Sequence, residues 1–459
     1  VGRLALLLLA MVSLLAGLNA ALLRLGALAP VISAPLADVH GVLMIFGFLG
    51  TAICLERAVA LQSGAPTKPP DLSGADSSTS SASAAGTAVS ASPGAGPRQR
   101  SVHAPLWAYV APLASGLGGA LVLAQVAASS LLTDPDSPVA TTLASLLGAS
   151  SPAIPRLLPG LAWCLAMAAL CAIYLVVWFR RQRSIALLVQ LLGAVCGLGG
   201  IALWTRGLPV ALVVVWWLGF LVLTIVGERL ELARIAFLSP GTEPRVLAEA
   251  LVLVLALPLT LAAPGWGYTL LGAALAALVV DVGWHDVARR TVRLTGLPRL
   301  AGASMLTGYA WALVPALMWL VAGPALSGHP YDIAVHSLTI GFTMSMVLAH
   351  APIIVPAIAR RQLPYHPVMW AVWALLEIGL LVRVVSGVRA AEGAWRLGGA
   401  LGVVAMLTFV VTTVSLIVRA SRRVSGCVAD GDECATTGTA TGTGTTAGTT
   451  GSDRSGATS

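Results

Sequence analysis

The sequence predicts an all-α fold, a polytopic bundle of about twelve transmembrane helices. Three observations predict it. The 459 residues are 57% hydrophobic and only 10% charged, a balance that no soluble globular domain has. Apolar runs of roughly 20 residues recur along the chain, the length that crosses a bilayer as a helix. Many of the 48 Gly and 27 Pro fall inside those runs, where membrane helices tolerate them, and the alternating pattern of a β-barrel is absent.

Taken in order, the expected spans cover residues 4–24, 37–61, 105–130, 158–179, 184–204, 208–227, 245–264, 266–283, 301–322, 331–358, 367–387 and 397–419. The first begins with Arg3 ahead of a Leu-rich run, as a signal sequence does. It is long, no A-x-A site closes it and further spans follow, so it reads as a retained helix. The seventh and eighth are separated by Ala263, Pro264 and Gly265, which leaves a tight hairpin and one broken helix both open. Residues 63–103 are rich in Ser, Ala, Gly and Pro, too polar to fold alone, and read as a disordered linker on the cytoplasmic side. Residues 131–157 form an outer loop, and 424–459 a disordered Thr/Gly-rich tail. The transmembrane domain is thus 1–423, interrupted by the linker.

Basic residues set orientation. With the N-terminus inside, 21 of the 27 Lys and Arg fall on the cytoplasmic side, which predicts N-in and C-in and a multi-pass protein of the inner (plasma) membrane. The net charge of +8 therefore reports loops that fix topology and does not point to nucleic acid. Of six cysteines, Cys54, Cys164, Cys171 and Cys196 lie in apolar segments as small packing residues, and the Cys427/Cys434 spacing matches no metal motif.

The tenth span carries the polar stripe around which a function can be built. With His336 at 0° on a helical wheel, Asp332 falls at about −40°, Thr339 at −60°, Thr343 at −20° and His350 at −40°. Polar groups in lipid are costly, so this face should turn inward. The two imidazoles, about 21 Å apart, either serve two sites at opposite depths or bond carbonyls and hydroxyls across the bundle. His40 opens the second span, near the same outer face as His336. Below it Gly47, Thr51 and Cys54 line one face, which allows close helix packing or room for a flat ligand such as haem. His40 and His336 could reach one metal from two helices, with Asp332 orienting the His336 ring or merely capping the helix. His350 would need an inner-side partner among His103, His285 and His366; His285 and Asp286 also read as polar loop residues beside Trp284. The sixth span ends in GERLELAR. There Arg229 either belongs to a salt-bridged helix end or holds an anionic group such as a haem propionate. Glu377 and Arg383 in the eleventh span read as a buried pair or a proton-path element, on different faces of their own helix.

Gly308–Trp311 (GYAW), followed by a short loop and VHSLTIGFTMSM, together with HGVLMIFGF in the second span, resembles the NnrS family. GERLELAR is a loose echo of that family's element at the end of the sixth span. The resemblance implies a polytopic membrane protein holding haem and copper and tied to the nitric oxide response, with a small diatomic ligand or a redox partner. Residue by residue it carries over His40 and His336 alone. Val42 stands where the family has a second histidine, and Ile358 where it has another further on, which bears on copper most. The alternative is a secondary transporter using the His/Thr/Asp stripe as a proton or substrate path.

Overall fold

The computed structural model describes residues 2–62, 106–132, 156–233 and 241–429. Among them no strand occurs, and twelve helices are long and apolar enough to cross a membrane. They are α1 (Gly2–Arg24), α2 (His40–Leu61), α3 (Leu106–Ser129), α4 (Leu157–Arg180), α5 (Ile185–Thr205) and α6 (Val210–Leu232). The second half comprises α7 (Thr242–Ala262), α8 (Pro264–His285), α9 (Gly296–Ala322), α10 (Gly328–Pro356), α11 (Val368–Val388) and α12 (Glu392–Arg422). Each expected span has one helix, offset by a few residues. This is a multi-pass membrane protein whose outer surface meets the lipid bilayer. The linker at 63–103 and most of the 131–157 loop lie outside the described residues. The final helix continues to Ala429, past the expected boundary, and residues 430–459 lie outside the described set.

The 245–283 region is a tight hairpin. Ala263 leaves helical geometry at φ −143°, ψ 79°, and Pro264 starts α8, where its missing N–H costs nothing. The arms approach so closely at Gly267 that an added Cβ would run into the Thr260 backbone nitrogen. Several consecutive spans pack as hairpins: α3 with α4, α4 with α5, α5 with α6, α8 with α9 and α11 with α12. The three most enclosed spans are α6, α2 and α10, with 78%, 67% and 61% of their apolar windows buried. Phe46 of α2 locks part of this centre, stacking on Phe220 at 6.2 Å and meeting Trp163 and Trp217 at 5.7 and 5.5 Å.

The two spans that carry His40 and His336 depart from α geometry. In α2, Leu43–Gly50 is π-helical, and in α10 so is Ser337–Met344. The wider turn changes the angular step per residue, so a wheel drawn at 100° loses its phase there. In each stretch a threonine hydroxyl returns to the carbonyl five residues earlier. Thr51 donates to Phe46 O at 3.4 Å and Thr343 to Leu338 O at 2.8 Å. Ser115 of α3 also donates to Phe46 O, at 2.8 Å.

Candidate functional site

Three polar layers cross the bundle, and α10 contributes a side chain to each. The first lies at the end where α10 begins, the His336 end. Asp332 there accepts from Arg383 of α11 at two points, Nη2 to Oδ1 at 2.6 Å and Nε to Oδ2 at 2.8 Å, and from Trp395 Nε1 of α12 at 2.9 Å. His336 Nδ1 lies 2.9 Å from the Asp332 carbonyl and 3.1 Å from its Oδ1. Both oxygens can only accept, so Nδ1 carries the hydrogen. On α2, His40 Nδ1 lies 2.8 Å from Gly17 O of α1, and the same argument makes it the donor. In their neutral forms both rings therefore present an Nε2 lone pair, and no described residue hydrogen-bonds either one. His336, Arg24 and Arg383 lie within electrostatic range of His40.

The middle layer is centred on Glu377 of α11. Thr307 and Trp311 of α9 and Ser345 of α10 converge on its carboxyl group. Gly341 permits this, since a Cβ there would lie 2.5 Å from Trp311 Cβ.

The third layer sits at the opposite, His350 end. Arg229 of α6 grips Asp286, just beyond α8, through Nε to Oδ2 at 2.8 Å and Nη2 to Oδ1 at 2.7 Å. Tyr309 of α9 donates to Asp286 Oδ2 at 2.6 Å, and the Ala288 backbone N–H to Oδ1 at 2.8 Å. Burial opposes the charge on Asp286, but the Arg229 guanidinium and these hydrogen bonds hold its carboxyl below the usual aspartate range. His350 donates from Nδ1 to Met346 O at 2.6 Å and accepts from Arg229 Nη1 at 2.8 Å. Both its nitrogens are spent within the protein, so it offers no lone pair to a metal. Nearby, Arg57 of α2 pairs with Glu228 at 2.8 Å and Glu231 at 3.3 Å of α6.

The expected site residues thus divide. His336 lies against Asp332 at one end, with His40 within electrostatic range of His336; Arg229 and His350 lie at the other, bound to each other. Arg229 is the salt-bridged helix end, consumed by Asp286, and Arg234 lies outside the described residues. Thr339 and Thr343 face their own backbone, at Val335 O and Leu338 O. No histidine partners His350 among the described residues: His285 binds Asp281, His366 accepts from Val368 N, and His103 is outside the set. The small face of α2 is helix packing. A Cβ at Gly47 would lie 2.8 Å from Ser13 Cβ and Oγ, and Met44 closes on Gly17, so a flat macrocycle does not enter between α1 and α2 there. Glu377 and Arg383 are not a pair.

Sequence reasoning missed Ser345, Tyr309 and the importance of Asp286. Ser345 falls about 180° from His336 on an α wheel, and the π turn re-aims it. Tyr309 and Trp311 stood inside the GYAW run, whose spacing of two sends their polar hydrogens to two different carboxylates.

The match to a family model spans residues 3–418 and reaches into all twelve helices. The chain belongs to the DUF8744 family, a domain of unknown function. In this DUF8744 chain the matched region contains every residue of the three polar layers. No curated protein and no solved structure matches it. Among the described residues, no group of three or more His, Cys, Asp or Glu side chains is placed to hold a metal ion.

Proposed function

We propose that this protein is a membrane haem protein of NnrS type, with the N- and C-termini in the cytoplasm and the His336 end facing outward across the inner membrane. The observation that carries the reading is the pair of imidazoles on α2 and α10. Each has Nδ1 tied to a backbone carbonyl, and Asp332 also lies against the His336 ring. That is the arrangement in which a histidine ligates through its other nitrogen, its tautomer and direction already fixed. Two nitrogens from two helices suit an iron within a macrocycle, which supplies its remaining ligands itself and so needs no third side chain. His40 and His336 would hold the iron, and Arg24, the basic neighbour of His40 not clamped by Asp332, would face a carboxylate of the group. When bound, haem held by both imidazoles would supply one-electron exchange with a redox partner, and a small diatomic gas would bind only where one imidazole gave way to it, the chemistry of a nitric oxide response. Copper has weaker support, because the donors beyond this pair are absent among the described residues.

The protein's own part is to fix both rings and to keep charge balanced around them. Arg383 and Trp395 hold Asp332, which in turn orients His336. Purification from cells supplied with haem precursor, followed by haem extraction and quantification, tests the reading: about one haem per chain supports it, and none counts against it. A second reading, a proton-coupled transporter, draws on the three polar layers that α10 links from end to end. Uptake into proteoliposomes that depends on a proton gradient would favour it.

A further inference from the structure

Glu377 lies in the middle of α11, and the haem reading leaves it without a role. Its partners are all uncharged. Oε1 lies 3.0 Å from both Thr307 Oγ1 and Ser345 Oγ, and Oε2 lies 2.6 Å from Trp311 Nε1. Among the described residues no ion pair reaches it. The titratable groups on the helices around it are committed elsewhere: Tyr309 to Asp286, His350 to Arg229, and both His336 and Arg383 to Asp332. Arg299 lies about two turns away at the start of α9, and α12 has no titratable side chain between Arg396 and Arg419.

The hydrogens can be counted. Thr307 has one hydroxyl hydrogen and three acceptors within reach: Ala303 O at 3.1 Å, Ser304 O at 3.0 Å and Glu377 Oε1 at 3.0 Å. A threonine inside a membrane helix habitually returns its hydrogen to its own backbone. The contact between Thr307 Oγ1 and Oε1 then lacks a hydrogen, unless the carboxyl group supplies one. With a proton on Oε1, every contact is satisfied. Oε1–H donates to Thr307, Thr307 donates to its own helix, Ser345 donates to the remaining lone pair of Oε1, and Trp311 donates to Oε2. Without the proton the cage still closes, because the Thr307 hydroxyl can turn to the carboxylate. The two charge states differ by one proton and one hydroxyl rotation. Asp332 and Asp286, each gripped at two points by an arginine, have no such freedom.

We propose that Glu377 is an intramembrane proton-binding site, able to take up and release a proton without rearranging its cage. This goes beyond the haem reading and does not depend on it. The oxygens sit at hydrogen-bond distance from one another, which favours a proton over a sodium ion among them.

Infrared spectroscopy of the full chain in lipid nanodiscs tests it. In a pH titration the wild-type protein should develop the carbonyl stretch of a protonated carboxylic acid, moving down in heavy water. Glu377→Gln should remove that band. Trp311→Phe, which deletes the donor to the carbonyl oxygen, should retain the band and raise its frequency, and this serves where Glu377→Gln fails to fold. A band untouched by either variant, or one that vanishes when sodium replaces a bulky organic cation, would overturn the proposal.

Discussion

Removing the charge of Asp286 while keeping its shape tests the buried network at the His350 end. Asp286→Asn leaves Arg229 with an uncompensated charge in a site where the two side chains are 5% and 1% exposed. It also turns one acceptor that Arg229 now uses into a donor. Breaking a buried pair from one side costs about 3–5 kcal/mol, because the surviving ion keeps its desolvation penalty. Replacing both partners removes that penalty, so Arg229→Met combined with Asp286→Asn should recover much of the loss. The assay is a double-mutant cycle on reversible unfolding in mixed micelles, with Tyr309→Phe as a third arm worth about 1.5–3 kcal/mol for a bond to a charged group. The pH dependence has a definite sign. The folded carboxyl of Asp286 titrates below its ordinary value, so its contribution is complete above the unfolded pKa and is lost as pH falls through the folded one. Asp286→Asn should flatten that acid limb. A loss below about 1 kcal/mol, or a double variant as unstable as the sum of the singles, would refute the reasoning.

Other outcomes follow from the same geometry. Asp332→Asn should free Arg383 and loosen the His336 ring, weakening metal binding at that end about 10–100-fold in titrations monitored by absorbance. Gly267→Ala should destabilise the α7–α8 hairpin by about 1–3 kcal/mol in micelle unfolding, since the new Cβ meets backbone that cannot yield. Gly265→Ala, with open space around it, is the matched control and should be near neutral. Thr343→Val should cost about 1 kcal/mol in the same assay, the net worth of its bond to Leu338 O, and leave haem content unchanged.

The twelve spans were legible because lipid demands runs of one length and composition, and α1 to α12 obey that rule. The polar stripe was legible only in part. Asp332 and His336 precede the π-helical stretch of α10, where the wheel holds, and Asp332 does face across the bundle to α11 and α12. Beyond it the wheel loses phase, which is why Ser345 went unseen. Thr339 and Thr343 were over-read for a different reason: a hydroxyl in a helix has its own carbonyls nearest to hand. Partners such as Arg229 for His350, or Asp286 for Arg229, are set by how α6, α8 and α10 pack. Nothing in the local sequence around His350 distinguishes an arginine on α6 from a histidine in a loop. The α2 small face was ambiguous between packing and a ligand slot until Ser13 was seen against Gly47.

The central claim is that His40 and His336 belong to one site. Absorption spectra of purified, haem-loaded protein, oxidised and reduced, test it most directly when wild type is set beside His40→Ala, His336→Ala and the double variant. The account predicts a Soret band in the wild type, the same altered ligation in each single variant and loss of the band in the double. A protein without a Soret band, or one whose spectrum passes unchanged through the double substitution, would contradict it.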